Sequence, residues 1–296
     1  MNCILQQGEK MNTFTYVGTI DAFRSAMHDA GITPPDVIHA DGKLHRFHIA
    51  GDKAGTLNGA YVLHSNGHPA GYFEDFKQGM KVTWKMEGNR AQFSEVEKAQ
   101  IVAANLQRQK ELEDKHRKAA EKARYIWRNA PPAITHPYLT RKQIQPHVAK
   151  INKYGALTIP LYNAQLELVN LQFIDVDGNK RFLSGGQKKS CFCWLGSPTE
   201  TLLIAEGFAT AASLHENKGL QTFVAFDAGN LEAVAKIIRS KLPDAQIIIA
   251  GDNDESGVGQ KAASAAARAV GGKFIIPKEV GMDWNDALTQ GVCDGQ

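Results

Sequence analysis

From residue 201 onward, short apolar runs alternate with helical segments. The runs are TLLIAEG, QTFVAFD, AQIIIAGD and KFIIP; between them lie residues 209–217, 231–242 and 258–270, whose apolar positions recur at helical spacing. Apolar strands separated by helices predict a parallel sheet covered on both faces. Residues 136–196 read differently. HPYLTRKQI predicts a short helix, and residues 156–160 and 166–175 predict strands. An Asp177-Gly178 hairpin turn follows, then Lys180, Arg181, Phe182 and Leu183, and then SGGQKK. This is an α+β unit with clustered basic residues. From Ser94 to Arg128 the chain is dense in Glu, Lys, Arg, Gln and Ala and lacks Gly and Pro. Ser94 and Glu97 form a capping box, and Pro131-Pro132 ends the segment, so one long solvated helix is predicted, a spacer between modules or a DNA-tracking element. Residues 36–85 alternate over short runs broken by Asp41-Gly42, Asn58-Gly59 and Asn66-Gly67, which predicts a small antiparallel sheet. A short helix over Asp21–Gly31 precedes it, and residues 1–12 read as a tail in which Met1 and Met11 are both possible starts. The predicted organisation is a tail at 1–12, a small α+β module at 13–90, a charged helical linker at 91–130, a basic subdomain at 131–199 and an α/β domain at 200–292.

Composition narrows the classes. Of 296 residues, 43% are hydrophobic and 22% charged, which excludes a disordered chain, and Gly follows no collagen period. No apolar run approaches the ~18 residues of a membrane span. The N-terminus shows no secretory pattern, and the four cysteines (Cys3, Cys191, Cys193 and Cys293) suit a reduced, cytoplasmic protein. Cys191-Phe192-Cys193 is a poor metal site without a second pair and reads as two buried small residues. The aromatics Phe47, Tyr61, Tyr72, Phe73, Phe76 and Trp84 of the N-terminal module are either its core or a base-stacking surface. Its histidines (His39, His45, His48, His64 and His68) have neither Cys companions nor helical ligand spacing, so they do not read as a zinc site. Residues 201–296 carry 8 basic and 12 acidic side chains, and residues 1–200 carry 26 and 19. A basic front and an acidic back fit a polyanion channel leading to a metal site, or ordinary surface charge.

The candidate chemistry lies at the carboxyl ends of the predicted parallel strands, where such sheets bind ligands. The first strand ends in Glu206-Gly207, the third in Asp252-Asn253-Asp254, and Asp283-Trp284-Asn285-Asp286 follows the fourth. Asp-x-Asp on an extended chain sends both carboxylates to one face. Converging acids are costly without a cation, and hard oxygens suit Mg2+ or Mn2+. The competing reading is that each acid caps a helix. No GxxxxGK[ST] occurs, so the chain has no ATP-driven motor motif.

The combination LLIAEGFATAASL, IIIAGDNDESG and DWNDAL resembles the Toprim domain shared by bacterial-type primases, topoisomerases and some nucleases. The preceding LTIPLYNAQLELVNLQFIDVDGNKRFLSGG resembles the basic subdomain that precedes Toprim in primases of plasmids, phages and mobile elements. The resemblance implies an α/β Toprim domain preceded by an α+β basic primase subdomain and a small N-terminal β-rich module. It implies a DNA primase that makes short RNA primers on single-stranded DNA from NTPs, with Mg2+ (or Mn2+) and a separate replicative helicase as partner. By this resemblance Glu206, Asp252 and Asp254 are catalytic and metal-binding, Asp283 and Asp286 complete the metal site, and Lys180, Arg181, Lys188 and Lys189 contact nucleotide or template phosphates. Two departures stand out: Thr210 occupies the position where replicative primases carry an Asp four residues after the Glu, and no zinc-ribbon ligand set is present. A Toprim nuclease and a non-catalytic DNA-binding accessory are the alternatives. A type IA topoisomerase needs a far larger body with a catalytic Tyr.

Overall fold

The computed structural model describes residues 13–65, 69–86 and 95–291. Two compact units divide the chain, Met1–Ala103 and Ala104–Gln296. The first holds helix α1 (Thr13–Asp29) and four strands, β1 (His45–Phe47), β2 (Gly59–His64), β3 (Ala70–Asp75) and β4 (Met80–Lys85), which form an antiparallel meander in chain order. The helix starts eight residues before the predicted Asp21. Its first turns are rich in β-branched Thr and Val, poor helix formers, but Thr19 is fully buried and Ile20 packs on the core, so tertiary contact overrides propensity. Phe47, Tyr61 and Phe73 are buried with Phe23, which decides for core over base stacking at those three. Tyr72 and Phe76 instead carry Lys81 and Arg46 over their rings, at 4.4 and 4.2 Å. His68 and the Asn66-Gly67 turn lie outside the described residues.

Helix α2 (Glu95–Asn129) contains the division between the units. Ser94, the expected cap, lies outside the described residues. Much of the helix is the solvated charged rod its composition predicts, with Arg117 between Asp114 and Glu121. Its last three turns are not a linker. Ala119, Ala120 and Ala123 are buried, and Ile126 and Trp127 pack with Leu168, Leu171 and Leu183.

That sheet comprises β5 (Lys150–Ile151), β6 (Leu157–Tyr162), β7 (Leu168–Ile174) and β8 (Lys180–Phe182), antiparallel in chain order, with helix α3 (Pro137–Lys142) before it. Its two faces are both covered. Leu171 and Phe173 face α2, while Leu157, Ile159 and Ile174 enter a core shared with the C-terminal domain. The predicted boundary at 199/200 is therefore not a break between separate cores. Strand β9 (Cys193–Leu195) lies before it in the chain yet forms the antiparallel edge of the next sheet. Cys191 and Cys193 are buried free thiols, both pushed up by burial, as expected for a packed apolar pair.

The C-terminal domain has the predicted alternation: β10 (Thr201–Ala205), α4 (Phe208–Lys218), β11 (Gln221–Val224), α5 (Leu231–Lys241), β12 (Gln246–Ala250), α6 (Val258–Val270), β13 (Lys273–Ile275) and α7 (Trp284–Thr289). The sheet order is β13-β12-β10-β11-β9, with the first four strands parallel. Period-two alternation sorts the β10 side chains. Leu202 and Ile204 meet α5 and α6, while Leu203 and Ala205 meet α4 and the shared core. Each such Leu or Ile contributes roughly 1.5–3 kcal/mol by leaving water. Seven consecutive residues of α4, Phe208–Leu214, are buried, which explains why FATAASL shows no polar face. No described helix is long and apolar enough to cross a membrane.

Candidate active site

The chain leaves β10 for β11 on one side and returns across β10 to place β12 on the other. The order therefore reverses between β10 and β12, the position at whose carboxyl ends open α/β sheets bind ligands. Glu206 follows β10 and Asp252 lies two residues beyond β12, so the two acids emerge at this switch point. Burial raises the Glu206 carboxyl above its ordinary value. A hydrogen bond from the Ala228 amide pulls it down, and Asp227 and Asp254 push it further up. Asp252 is pushed up to about 7, by burial first, then by Glu206 and Asp283, with Lys180 opposing. Its Oδ1 is buried and has no hydrogen-bond partner. An orphaned acceptor among other acids fits a hard cation. The geometry also limits how such a cation is held. Among the described residues, no three His, Cys, Asp or Glu side chains converge on one point. Mg2+ is commonly bound through one or two carboxylates, with water and substrate phosphates completing its shell, and this arrangement suits that mode.

The Asp-x-Asp segment is set by its middle residue. Asn253 is buried, donates from Nδ2 to Pro277 O at 2.9 Å, and pairs its backbone with Met282 and Gly281. This turns Asp252 and Asp254 away from residues 277–282. Asp254 does what the capping alternative predicts. Its Oδ1 accepts from Ser256 Oγ and, at 3.2 Å, from Val258 N, and its Oδ2 accepts from Gly259 N at 2.6 Å. Despite a desolvation push upward, these bonds hold its carboxyl below the usual range. Gly259 is required for this approach, because a Cβ there would stand 2.5 Å from Asp252 O.

Asp283 caps α7, accepting from the Asp286 amide at 2.8 Å. Lys142, at the end of α3, lies 3.6 Å from Asp283 Oδ2 and 2.9 Å from Asp286 Oδ1. Asn285 fixes this arrangement by donating to Lys142 O and Ser213 Oγ, both at 2.7 Å. The expected metal role of Asp286 thus meets a lysine already paired with it. Nothing local signals Lys142, whose partners lie more than 140 positions away.

The basic residues separate. Strand alternation sends Lys180 and Arg181 of β8 to opposite faces, so they do not act as one patch. Lys180 keeps exposed surface, yet its ammonium is crowded enough that desolvation lowers its pKa against the pull of Asp283, Asp252 and Glu206. A Cβ on Gly207 would sit 3.8 Å from its Nζ, which places Lys180 over the Glu206–Gly207 turn. Arg181 lines a groove on the α2 side. Lys188 Nζ lies 2.6 Å from Asp227 Oδ2 and 4.9 Å from the Phe182 ring centroid. Asp227 carries the same local signal as Glu206: QTFVAFD ends in an acid just beyond β11, as TLLIAEG holds one just beyond β10. Buried Asn230 holds the 188–191 loop there by accepting from Ser190 N and donating to Cys191 O and Ala225 O. Lys189 is exposed, and Thr210 is buried on α4.

One consequence is measurable. An acid whose folded pKa exceeds its unfolded value of ~3.9 stabilises the fold most when protonated. The Asp252 contribution is complete below that unfolded value and is lost as pH rises through about 7. The melting temperature of metal-free protein is expected to fall between about pH 4 and pH 7, and Mg2+ is expected to restore it at and above the upper end. A wild-type profile no steeper than that of Asp252→Asn would refute this.

Residues 201–292 match the Toprim domain family. The chain is 38% identical over 277 residues to DNA primase TraC of Escherichia coli, covering 87% of this chain and 26% of that protein. A second Escherichia coli DNA primase TraC is 39% identical over 279 residues, covering 87% and 19%. The chain thus spans about a quarter or less of these relatives. Among solved structures, the primase fragment of the bacteriophage T7 primase-helicase protein aligns with a TM-score of 0.42 at 18% identity, over 54% of this chain and 70% of that one. The family match, the strand order and the acids at the switch point agree, and residues 201–292 are a Toprim domain.

Proposed function

We propose that this chain carries a DNA primase core that makes short RNA primers on single-stranded DNA by nucleotidyl transfer from NTPs. The observation that carries this reading is the buried, unpartnered Asp252 beside Glu206 at the strand switch point, with Lys180 brought over them from the preceding subdomain. The similarity to DNA primase TraC over 87% of the chain supports it. Glu206 and Asp252 would hold Mg2+ or Mn2+, which when bound neutralises phosphate oxygens and lowers the cost of deprotonating a 3′-hydroxyl. Asp254 anchors the loop to α6, and Asp283 adds negative potential. Lys180 offers its charge to the triphosphate, and Lys188 is released to phosphate when it exchanges Asp227 for substrate. Arg181 and Lys189 contact template rather than nucleotide. In this reading the protein works in the cytoplasm on plasmid, phage or other mobile-element DNA, with a separate helicase opening the duplex.

The test is incubation of the chain with single-stranded DNA, labelled NTPs and Mg2+ or Mn2+. Short labelled oligomers that disappear with EDTA are expected. Metal-dependent loss of the template without oligomers would assign a nuclease, and salt-sensitive template binding with neither product would assign an accessory protein.

A further inference from the structure

On the face of the β5–β8 sheet that meets α2 there is a groove of about 700 Å³, within the usual size range of small-molecule sites. Two tyrosines on its lining are unusually exposed for their size: Tyr154 at 82% and Tyr125 at 71%. Phe173 of β7 also lines it. Three cations share the lining, Lys122, Lys153 and Arg181, and Lys153 Nζ lies 5.0 Å from the Tyr154 ring centroid. The single acid there, Asp175, is already committed. It accepts from Asn179 Nδ2 and from the amides of Asp177 and Asn179, and these bonds, led by that of the Asn179 side chain, hold its carboxyl below the ordinary range. The groove therefore offers open aromatic faces beside a net positive charge. A nucleobase presents a flat face and a phosphate presents the complementary charge, whereas an apolar peptide segment would leave the three cations unmatched. The alternation of β8 separates this groove from the acids, since Lys180 faces Glu206 and Asp252 and Arg181 faces the groove.

We propose that this groove is a base-stacking site for single-stranded nucleic acid, on the opposite side of the sheet from the carboxylates. Tyr125 and Tyr154 stack bases, and Lys122, Lys153 and Arg181 hold the adjoining phosphates. The choice of occupant rests on the reading that the chain works on single-stranded DNA; the site itself requires no catalysis. It would keep hold of the strand while the carboxylate site exchanges nucleotides.

The experiment measures binding of a fluorescein-labelled thymidine oligomer of about 12 nucleotides to the full chain in EDTA over a salt series. The double variant Tyr125→Ala, Tyr154→Ala is expected to bind about tenfold or more weaker at every salt concentration with little change in salt slope. The double variant Lys122→Gln, Lys153→Gln is expected to flatten the slope by roughly 1–1.5. Both tyrosines are exposed, so unchanged melting temperatures are expected to accompany these losses. Wild-type affinity in the tyrosine double variant would overturn the proposal, as would a wild-type chain that does not bind the oligomer. Oligomer binding through the tyrosines without primer synthesis would instead refute the primase reading and leave this one standing.

Discussion

Replacing Asp252 by Asn is expected to abolish primer synthesis while stabilising the metal-free protein above neutral pH. Both effects follow from one feature. Asp252 Oδ1 is buried without a hydrogen bond, and Glu206 and Asp283 raise the cost of its charge. Asn removes that charge, relieving the repulsion, and also removes the anionic oxygen a hard cation needs. Activity should fall on the order of 10³-fold or more, since the effect acts where phosphate charge develops. The melting temperature of the metal-free variant at about pH 8 should exceed that of wild type, and Mg2+ should no longer raise it. Glu206→Gln should behave similarly with a smaller stability gain, because the Ala228 amide already compensates part of its charge. An Asp252→Asn protein with near-wild-type primer yield would remove Asp252 from the reaction.

The second large effect is structural. Asn230→Ala is expected to destabilise the C-terminal unit by roughly 2–4 kcal/mol, because it orphans the Cys191 and Ala225 carbonyls and the Ser190 amide in a buried place. For a unit of this size that is a fall in melting temperature of roughly 5–15 °C. The same change frees the loop that holds Lys188 against Asp227, so KM for NTP should rise in the protein that remains folded. Calorimetry and steady-state kinetics on the variant check both. A melting temperature within a degree or two of wild type would show that the loop is held by other contacts.

The strands and helices of residues 201–292 were legible because each apolar run is short, bounded and followed by an acid or a turn residue, as in TLLIAEG and AQIIIAGD. The acids at the strand ends were legible for the same reason: parallel strands expose their carboxyl ends together. The N-terminal meander was legible from its short alternating runs, whereas Asp41-Gly42 precedes β1 and Gly59 opens β2, so neither pair joins two of its strands. Other features were not. The early start of α1 depends on burial of Thr19, which propensity cannot show. The docking of the end of α2 depends on Ala119, Ala120 and Ala123, which in sequence look like any helix formers. The SGGQKK segment shows in sequence only its glycines and its charge, yet Gly186 packs where a Cβ would meet the Asn170 side chain at 2.4 Å.

By itself the sequence determined which residues carry charge and which way the strands run, because periodicity and turn chemistry are local. Only the tertiary structure decided which charges meet. It joined Lys142 to Asp283 and Asp286, set Lys188 on Asp227 and brought Lys180 of β8 to Glu206 and Asp252. Those pairings depend on strand order, on alternation along β8 and on buried amides such as Asn230, Asn253 and Asn285. Each links segments distant in sequence, and electrostatic interaction depends on distance in space rather than along the chain.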